Sequence, residues 1–153
     1  MKKLEFLNNK FNYCKDIIWE DIIDKIDNEY KFGYRENGHP KVASFMPEVQ
    51  YAPTFVLSTE YFPNTIQKAY DKVKEFEGIN KLVIYTSFGC GSPTFGTHKD
   101  YGDILLVQSI GRMKYVIENK EYLLNPGDGL VIPSEVYHSP LVLEPRVTLS
   151  FSW

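Results

Sequence analysis

From Lys81 to Trp153 the chain is cut into short runs by closely spaced turn residues. The punctuation is Gly89-Cys90-Gly91-Ser92-Pro93, Gly111, Glu118-Asn119-Lys120, Asn125-Pro126-Gly127-Asp128 and Pro133. Glycine, proline, asparagine and aspartate supply the backbone angles and local hydrogen bonds that turns need. The runs between them are read as strands: Lys81–Phe88, a segment carrying His98 and Asp100, Ile104–Gln108, Met113–Glu118, Tyr122–Leu124, Leu130–Ile132 and Arg146–Trp153. Many short strands with frequent turns predict a barrel or sandwich. The last strand alternates, with Val147, Leu149, Phe151 and Trp153 on one face and Arg146, Thr148, Ser150 and Ser152 on the other. An ordinary outer strand turns its polar face to water. In a barrel whose lumen is a binding site, that face lines the pocket and the apolar face meets flanking helices. The pattern alone does not choose.

The first half supplies those helices. Ile17–Tyr30 repeats Trp19, Ile22, Ile23, Ile26 and Tyr30 at helical spacing. A second helix follows Pro63, capped by Asn64 or Thr65, with Ile66, Ala69, Tyr70 and Val73 as its stripe and Gly78 as its stop. Gly33 to Pro40 is turn-rich and holds His39, read as a surface histidine. Lys41–Met46 and Thr54–Ser58 are short strands, and the Pro-punctuated Met46–Pro53 between them is a loop that either meets substrate or merely connects. At 153 residues this is one domain, residues 1–153, helical and irregular over 1–80 and stranded over 81–153. An aromatic content of 15% suits β structure. A net charge of −3 gives no nucleic-acid footprint. No run is long enough to span a membrane, and Met1–Phe6 has no signal-peptide core. Cys14 and Cys90 make no disulfide framework, so a cytoplasmic setting is expected.

The chemistry concentrates at Thr97-His98-Lys99-Asp100 and His138. On an extended strand His98 and Asp100 point the same way, about 6.5–7 Å apart at the backbone. Two imidazole nitrogens and one carboxylate form the facial triad that holds non-haem Fe(II) and leaves positions open. The third ligand must come from another strand, and His138 sits just beyond a turn-bounded apolar run. The alternative is a surface His98–Asp100 pair with His138 a satisfied core histidine.

The order His98-Lys99-Asp100, Ile104–Gln108, Gly111, Pro126-Gly127-Asp128, Ile132-Pro133 and His138 resembles the cupin-type double-stranded β-helix of the Fe(II)/2-oxoglutarate oxygenases, most closely the JmjC-like branch. Gly127 to His138 also resembles the second cupin motif, with Glu135 where that motif has Gly. The resemblance covers about half the chain. It implies a mainly β jelly-roll with the N-terminal helices on its outer face, iron held by His98, Asp100 and His138, and 2-oxoglutarate and O2 as cosubstrates. Asp100 implies hydroxylation or a similar oxidation, because related halogenases lack that carboxylate.

The far carboxylate of 2-oxoglutarate needs a cation. JmjC-like enzymes place Lys or Arg two residues after the hairpin Gly, and here that residue is Met113. In the wider superfamily the cation is an Arg on the last strand with a hydroxyl two residues later, which Arg146 and Thr148 match. Arg suits bidentate carboxylate binding; the alternative for Arg146 is a surface pair with Glu144. Tyr115 shares a face with Met113 and offers its hydroxyl. Gln108 points inward, toward substrate or a buried neighbour. Tyr85 is near the site but explained equally by packing. Lys99, Arg112, Lys114 and Cys90 are read as bystanders. Two further readings are a non-catalytic metal- or ligand-binding cupin, which Met113 favours, and a cupin metalloenzyme that uses no oxoacid. The substrate is a small molecule or a protein side chain.

Overall fold

The computed structural model describes residues 2–33, 35–36, 39–40 and 54–153, with side chains described for 2–29 and 54–153. The strands are β1 (Glu5–Leu7), β2 (Arg35–Glu36), β3 (His39–Pro40), β4 (Phe55–Leu57), β5 (Lys81–Ser87), β6 (Ile104–Ile110), β7 (Met113–Ile117), β8 (Lys120–Leu124), β9 (Gly129–Ile132), β10 (His138–Val142) and β11 (Arg146–Ser152). The helices are α1 (Trp19–Gly33) and α2 (Asn64–Glu77), preceded by a 3₁₀ turn at Asn12–Asp16. A six-stranded sheet in the order β1-β9-β6-β11-β5-β4 faces a three-stranded sheet β10-β7-β8, and β2 pairs with β3. The ladders are antiparallel throughout the described residues.

The alternation of β11 divides the molecule. Val147, Leu149 and Phe151 join a core with Ile22 of α1 and Ile66, Ala69 and Val73 of α2. On the other face a second core lies between the sheets, from Leu106, Leu130 and Ile132 on one side and Met113, Tyr115, Ile117, Leu124 and Val142 on the other. Each such side chain, fully buried, contributes about 1.5–3 kcal/mol. Arg146 and Thr148 are buried on this inner face and Ser150 lines a pocket there. The reversed arrangement, polar face inward and apolar face to the helices, is therefore the one adopted.

Local structure departs from expectation where the cause is tertiary. Ile17 is extended after the 3₁₀ turn, so α1 starts at Trp19. Neither Asn64 nor Thr65 caps α2 with its own side chain; Pro63 is the N-cap. The acceptor is the Asp21 carboxylate of α1, which takes the Thr65 N–H at 2.9 Å and also the Thr65 hydroxyl. Gly78 ends the helix in the left-handed conformation, as expected. The Pro126-Gly127-Asp128 turn is an anchor: Asp128 Oδ1 accepts the Asn9 N–H at 2.8 Å, Oδ2 the Asn125 N–H at 2.9 Å, and the Gly127 carbonyl the Phe11 N–H at 2.9 Å. His98 and Asp100 do not lie on a strand. They sit on a loop between β5 and β6, joined to β10 by one bridge, His98 to His138. The strand β10 has no counterpart in the sequence reading, because Pro140 interrupts its pattern; among the described residues its ladder partner is β7 alone, and proline is tolerated at such an edge. The expected strand Lys41–Met46 and the loop Met46–Pro53 lie outside the described residues, as does the His39 side chain.

Candidate functional site

The single bridge between His98 and His138 is made by both residues' backbones. His98 N–H donates to the His138 carbonyl at 3.0 Å and His138 N–H to the His98 carbonyl at 2.8 Å. Directly paired residues project to the same side, so the two imidazoles meet, with ring centroids 4.3 Å apart. The Asp100 carbonyl accepts the Glu135 N–H at 2.9 Å, which holds this loop against the turn before β10. Glu135 has φ +64, a left-handed conformation that explains why the motif it resembles has Gly there. Its carboxylate is paired with Lys99 on the surface.

The ligating atoms of His98, Asp100 and His138 lie within 4.8 Å of one another. The Nδ1 of His98 is 2.8 Å from the Gly96 carbonyl, and the Nδ1 of His138 is 3.1 Å from the Val136 carbonyl. A carbonyl only accepts, so each Nδ1 carries the proton and each Nε2 keeps its lone pair. His138 Nε2 is 3.5 Å from Asp100 Oδ2. Burial, reinforced by the neighbouring His98, pushes His138 below the ordinary imidazole value, outweighing the Val136 hydrogen bond and Asp100. Two imidazoles oriented by backbone carbonyls, beside one carboxylate, are a donor set that fits a divalent transition metal with open positions.

A pocket open to solvent joins this cluster to Arg146. Its wall includes Tyr85, Phe95, Ile104, Leu106, Tyr115 and Pro140. Phe95 stands edge-on to His98 at 6.0 Å and edge-on to Tyr85 at 6.2 Å. The Arg146 guanidinium lies 5.9 Å from the Tyr85 ring centre. Burial raises the Tyr85 hydroxyl and Asp100 adds to it, against Arg146, so the phenol keeps its proton at neutral pH.

Arg146 is only 2% exposed, and no carboxylate pairs with it among the described residues. Glu144, the partner weighed for it, instead binds Arg112 at 3.2 Å. Arg146 Nε donates to Ser87 Oγ at 3.0 Å and Nη1 to Thr148 Oγ1 at 2.7 Å. Thr148 donates to Gln108 Oε1 at 2.7 Å, and Gln108 Nε2 donates to the Ile110 and Gly111 carbonyls at 2.8 and 3.0 Å. The buried Tyr115 hydroxyl is raised by burial, against the nearby Arg146, so it keeps its proton at neutral pH. Of the four residues considered for an anionic ligand, Arg146 and Tyr115 line the pocket, while Thr148 and Gln108 stand behind Arg146. Met113 is buried in the core between the sheets and supplies no charge. Cys90 is exposed and outside the pocket wall. Two residues of the site belong to no motif in the sequence: Ser87, whose hydroxyl also meets Thr54 at 2.9 Å, and Phe95 in the pocket wall.

No protein-family model matches the sequence, and no curated protein matches it. Solved structures do. The structure of YcfD, a ribosomal oxygenase from Escherichia coli in complex with cobalt and succinic acid, matches over 99% of this chain and 48% of that one, with TM-score 0.58 and 17% identity. A second E. coli YcfD structure matches over 64% of this chain and 32% of that one, with TM-score 0.53 and 20% identity. A cupin superfamily protein from Desulfitobacterium hafniense gives TM-score 0.48 at 11% identity, over 65% of this chain and 75% of that one. The chain thus spans at most about half of the YcfD chain. The likeness establishes the fold, the double-stranded β-helix of the cupins.

Proposed function

We propose that the chain is a non-haem Fe(II)- and 2-oxoglutarate-dependent oxygenase, a hydroxylase of a small molecule or a protein side chain. The observation that carries the proposal is Arg146, a buried guanidinium without a carboxylate partner among the described residues, in the pocket that His98, Asp100 and His138 also line. A charge withdrawn from water costs several kcal/mol unless it is paired. The carboxylate of a bound ligand supplies that partner. The ribosomal oxygenase whose fold the chain shares is described with a metal and a dicarboxylate, the two kinds of ligand this reading assigns here.

In this reading residues 1–153 act as one domain. His98 Nε2, His138 Nε2 and an Asp100 oxygen hold the iron, which when bound supplies activation of O2 coupled to decarboxylation of the oxoacid to succinate and CO2. Arg146 binds the far carboxylate of 2-oxoglutarate. Tyr85 turns its ring toward the guanidinium, and Phe95, Pro140, Ile104 and Leu106 give the pocket an apolar wall.

One observation favours a second reading, a metal- or ligand-binding cupin without turnover: the residue two positions after Gly111 is the apolar, buried Met113. Anaerobic titration of the Fe(II)-loaded protein with 2-oxoglutarate separates the two. The oxygenase gives the visible charge-transfer band of the chelate, and Arg146→Met weakens it without loss of iron. Iron binding with no band in the unmodified protein supports the second reading.

A further inference from the structure

From Gln108 through Thr148 to Arg146 the hydrogen bonds have only one consistent assignment of hydrogens. The Ile110 and Gly111 carbonyls can only accept, so the NH2 of the Gln108 amide must face them, and its oxygen must face Thr148. Opposite an oxygen, the single proton of Thr148 goes to Gln108. The Thr148 oxygen is then left to accept from Arg146, which can only donate. Ser87 takes the Nε hydrogen, and its hydroxyl shares a second hydrogen bond with Thr54 in which either can donate. Two of the five guanidinium hydrogens are thereby committed, and one of these is on Nε. What remains is the far edge, the second Nη1 hydrogen and the two on Nη2.

The anchor of the network is itself rigid. Gly111 has φ +68, and a Cβ there would lie 2.0 Å from the Pro145 carbonyl oxygen. The hairpin whose carbonyls hold Gln108 is therefore seated against the residue preceding Arg146.

We infer that Gln108 is a positioning residue. Pinned by the hairpin carbonyls, it polarises Thr148 and so presents the terminal Nη1/Nη2 edge of Arg146 to the pocket, an end-on clasp for the two oxygens of a single carboxylate. Approach through Nε is closed by Ser87. The inference rests on the reading of Arg146 as an anion's partner and adds a residue that never touches the ligand.

The test is the affinity of the Mn(II)-loaded protein for 2-oxoglutarate, read by calorimetry in Gln108→Leu, Thr148→Val and the double variant. Each single change is expected to weaken binding about tenfold, the order of one hydrogen bond to a charged group. The double variant is expected to be no weaker than the worse single one, since Gln108 acts only through Thr148. Thr148→Ser, which keeps the hydroxyl, should recover most of the loss. Unchanged affinity in Gln108→Leu, or losses that multiply in the double variant, would overturn the inference. Should Gln108→Leu not fold, Gln108→Met makes the same comparison, because its thioether neither donates to the two carbonyls nor replaces the amide oxygen that takes the Thr148 proton. Solvent exchange of the Arg146 Nε–H, followed by NMR, separates this inference from the functional reading. If the unmodified protein binds no 2-oxoglutarate, the functional reading fails. Faster exchange in both single variants then upholds the positioning role, and unchanged exchange refutes it.

Discussion

Among the described residues Lys25 and Arg146 are the two buried lysine or arginine side chains, and they are buried differently. Lys25, on α1, is 0% exposed and brings its own countercharge. Its Nζ meets Glu29 Oε1 at 3.2 Å, the Thr59 and Tyr61 carbonyls at 2.9 Å each, and lies 4.9 Å from the Phe62 ring centre. Arg146, on β11, has hydroxyls about it and an aromatic face, but no carboxylate among the described residues. Both lose proton affinity through burial. The first is complete and ties the chain before α2 to α1. The second is solvated by groups that orient it without neutralising it, and it lies in a pocket wall. A buried charge with its partner built in serves the fold, whereas one that is held but unneutralised is set up for a ligand.

Replacing each cation by an apolar side chain of similar length is the most direct way to break this contrast. Lys25→Met strands Glu29 and two carbonyls, and should cost about 3 kcal/mol in urea unfolding while leaving 2-oxoglutarate affinity unchanged. Adding Glu29→Gln should return part of that loss, since no charge is then stranded. Arg146→Met should do the reverse, weakening 2-oxoglutarate about a hundredfold (about 2.7 kcal/mol) with a melting temperature equal to or above that of the unmodified protein. A large stability loss in Arg146→Met would erase the distinction.

Acid titration sharpens it further. Burial alone would raise the Glu29 carboxyl, but hydrogen bonds from the Thr59 hydroxyl and N–H and from Lys25 outweigh burial and hold it below the ordinary glutamate value of 4.5. A carboxyl whose folded value is depressed adds stability above the unfolded value and loses it as pH falls through the folded one. Unfolding free energy should therefore decline below about pH 4.5, and Glu29→Gln should flatten that decline. The smallest effect is expected at Glu135, a charged residue held in a strained backbone instead of a buried setting. Glu135→Gly removes the left-handed strain and an exposed ion pair together, for a net gain of about 0.5–1 kcal/mol in the same unfolding assay.

The contrast was half visible in the sequence. Arg146 and Thr148 could be put on one face because β11 alternates cleanly and a period of two leaves no other choice. The turn residues marked six of the strand intervals after Lys81, since their backbone angles are local properties. What escaped was set by contacts between distant segments. Nothing in the helical pattern of Ile17–Tyr30 singles out Lys25, because its partners Thr59 and Tyr61 lie 34 and 36 residues further along the chain. The alternation of His98 and Asp100 suggests a strand, yet they are held by one backbone bridge to His138 and by the Glu135 N–H on the Asp100 carbonyl. The Gly96 and Val136 carbonyls that fix the two imidazoles are backbone atoms, which no residue type announces. Ser87 gave no signal, because a serine at the end of a strand is ordinary until an arginine from the adjacent strand reaches it.

The carboxylate of Asp21 has a consequence for the order of events in the helical layer. It takes the Thr65 N–H that opens α2, and one turn later on the same helix Lys25 grips Thr59 and Tyr61, the segment leading into α2. If α1 lifts away, the head of α2 loses its acceptor and its lead-in segment loses its tether in one motion. Neither helix head opens alone, so the amides there should report one shared opening event to hydrogen exchange, separate from that of the sheets beneath.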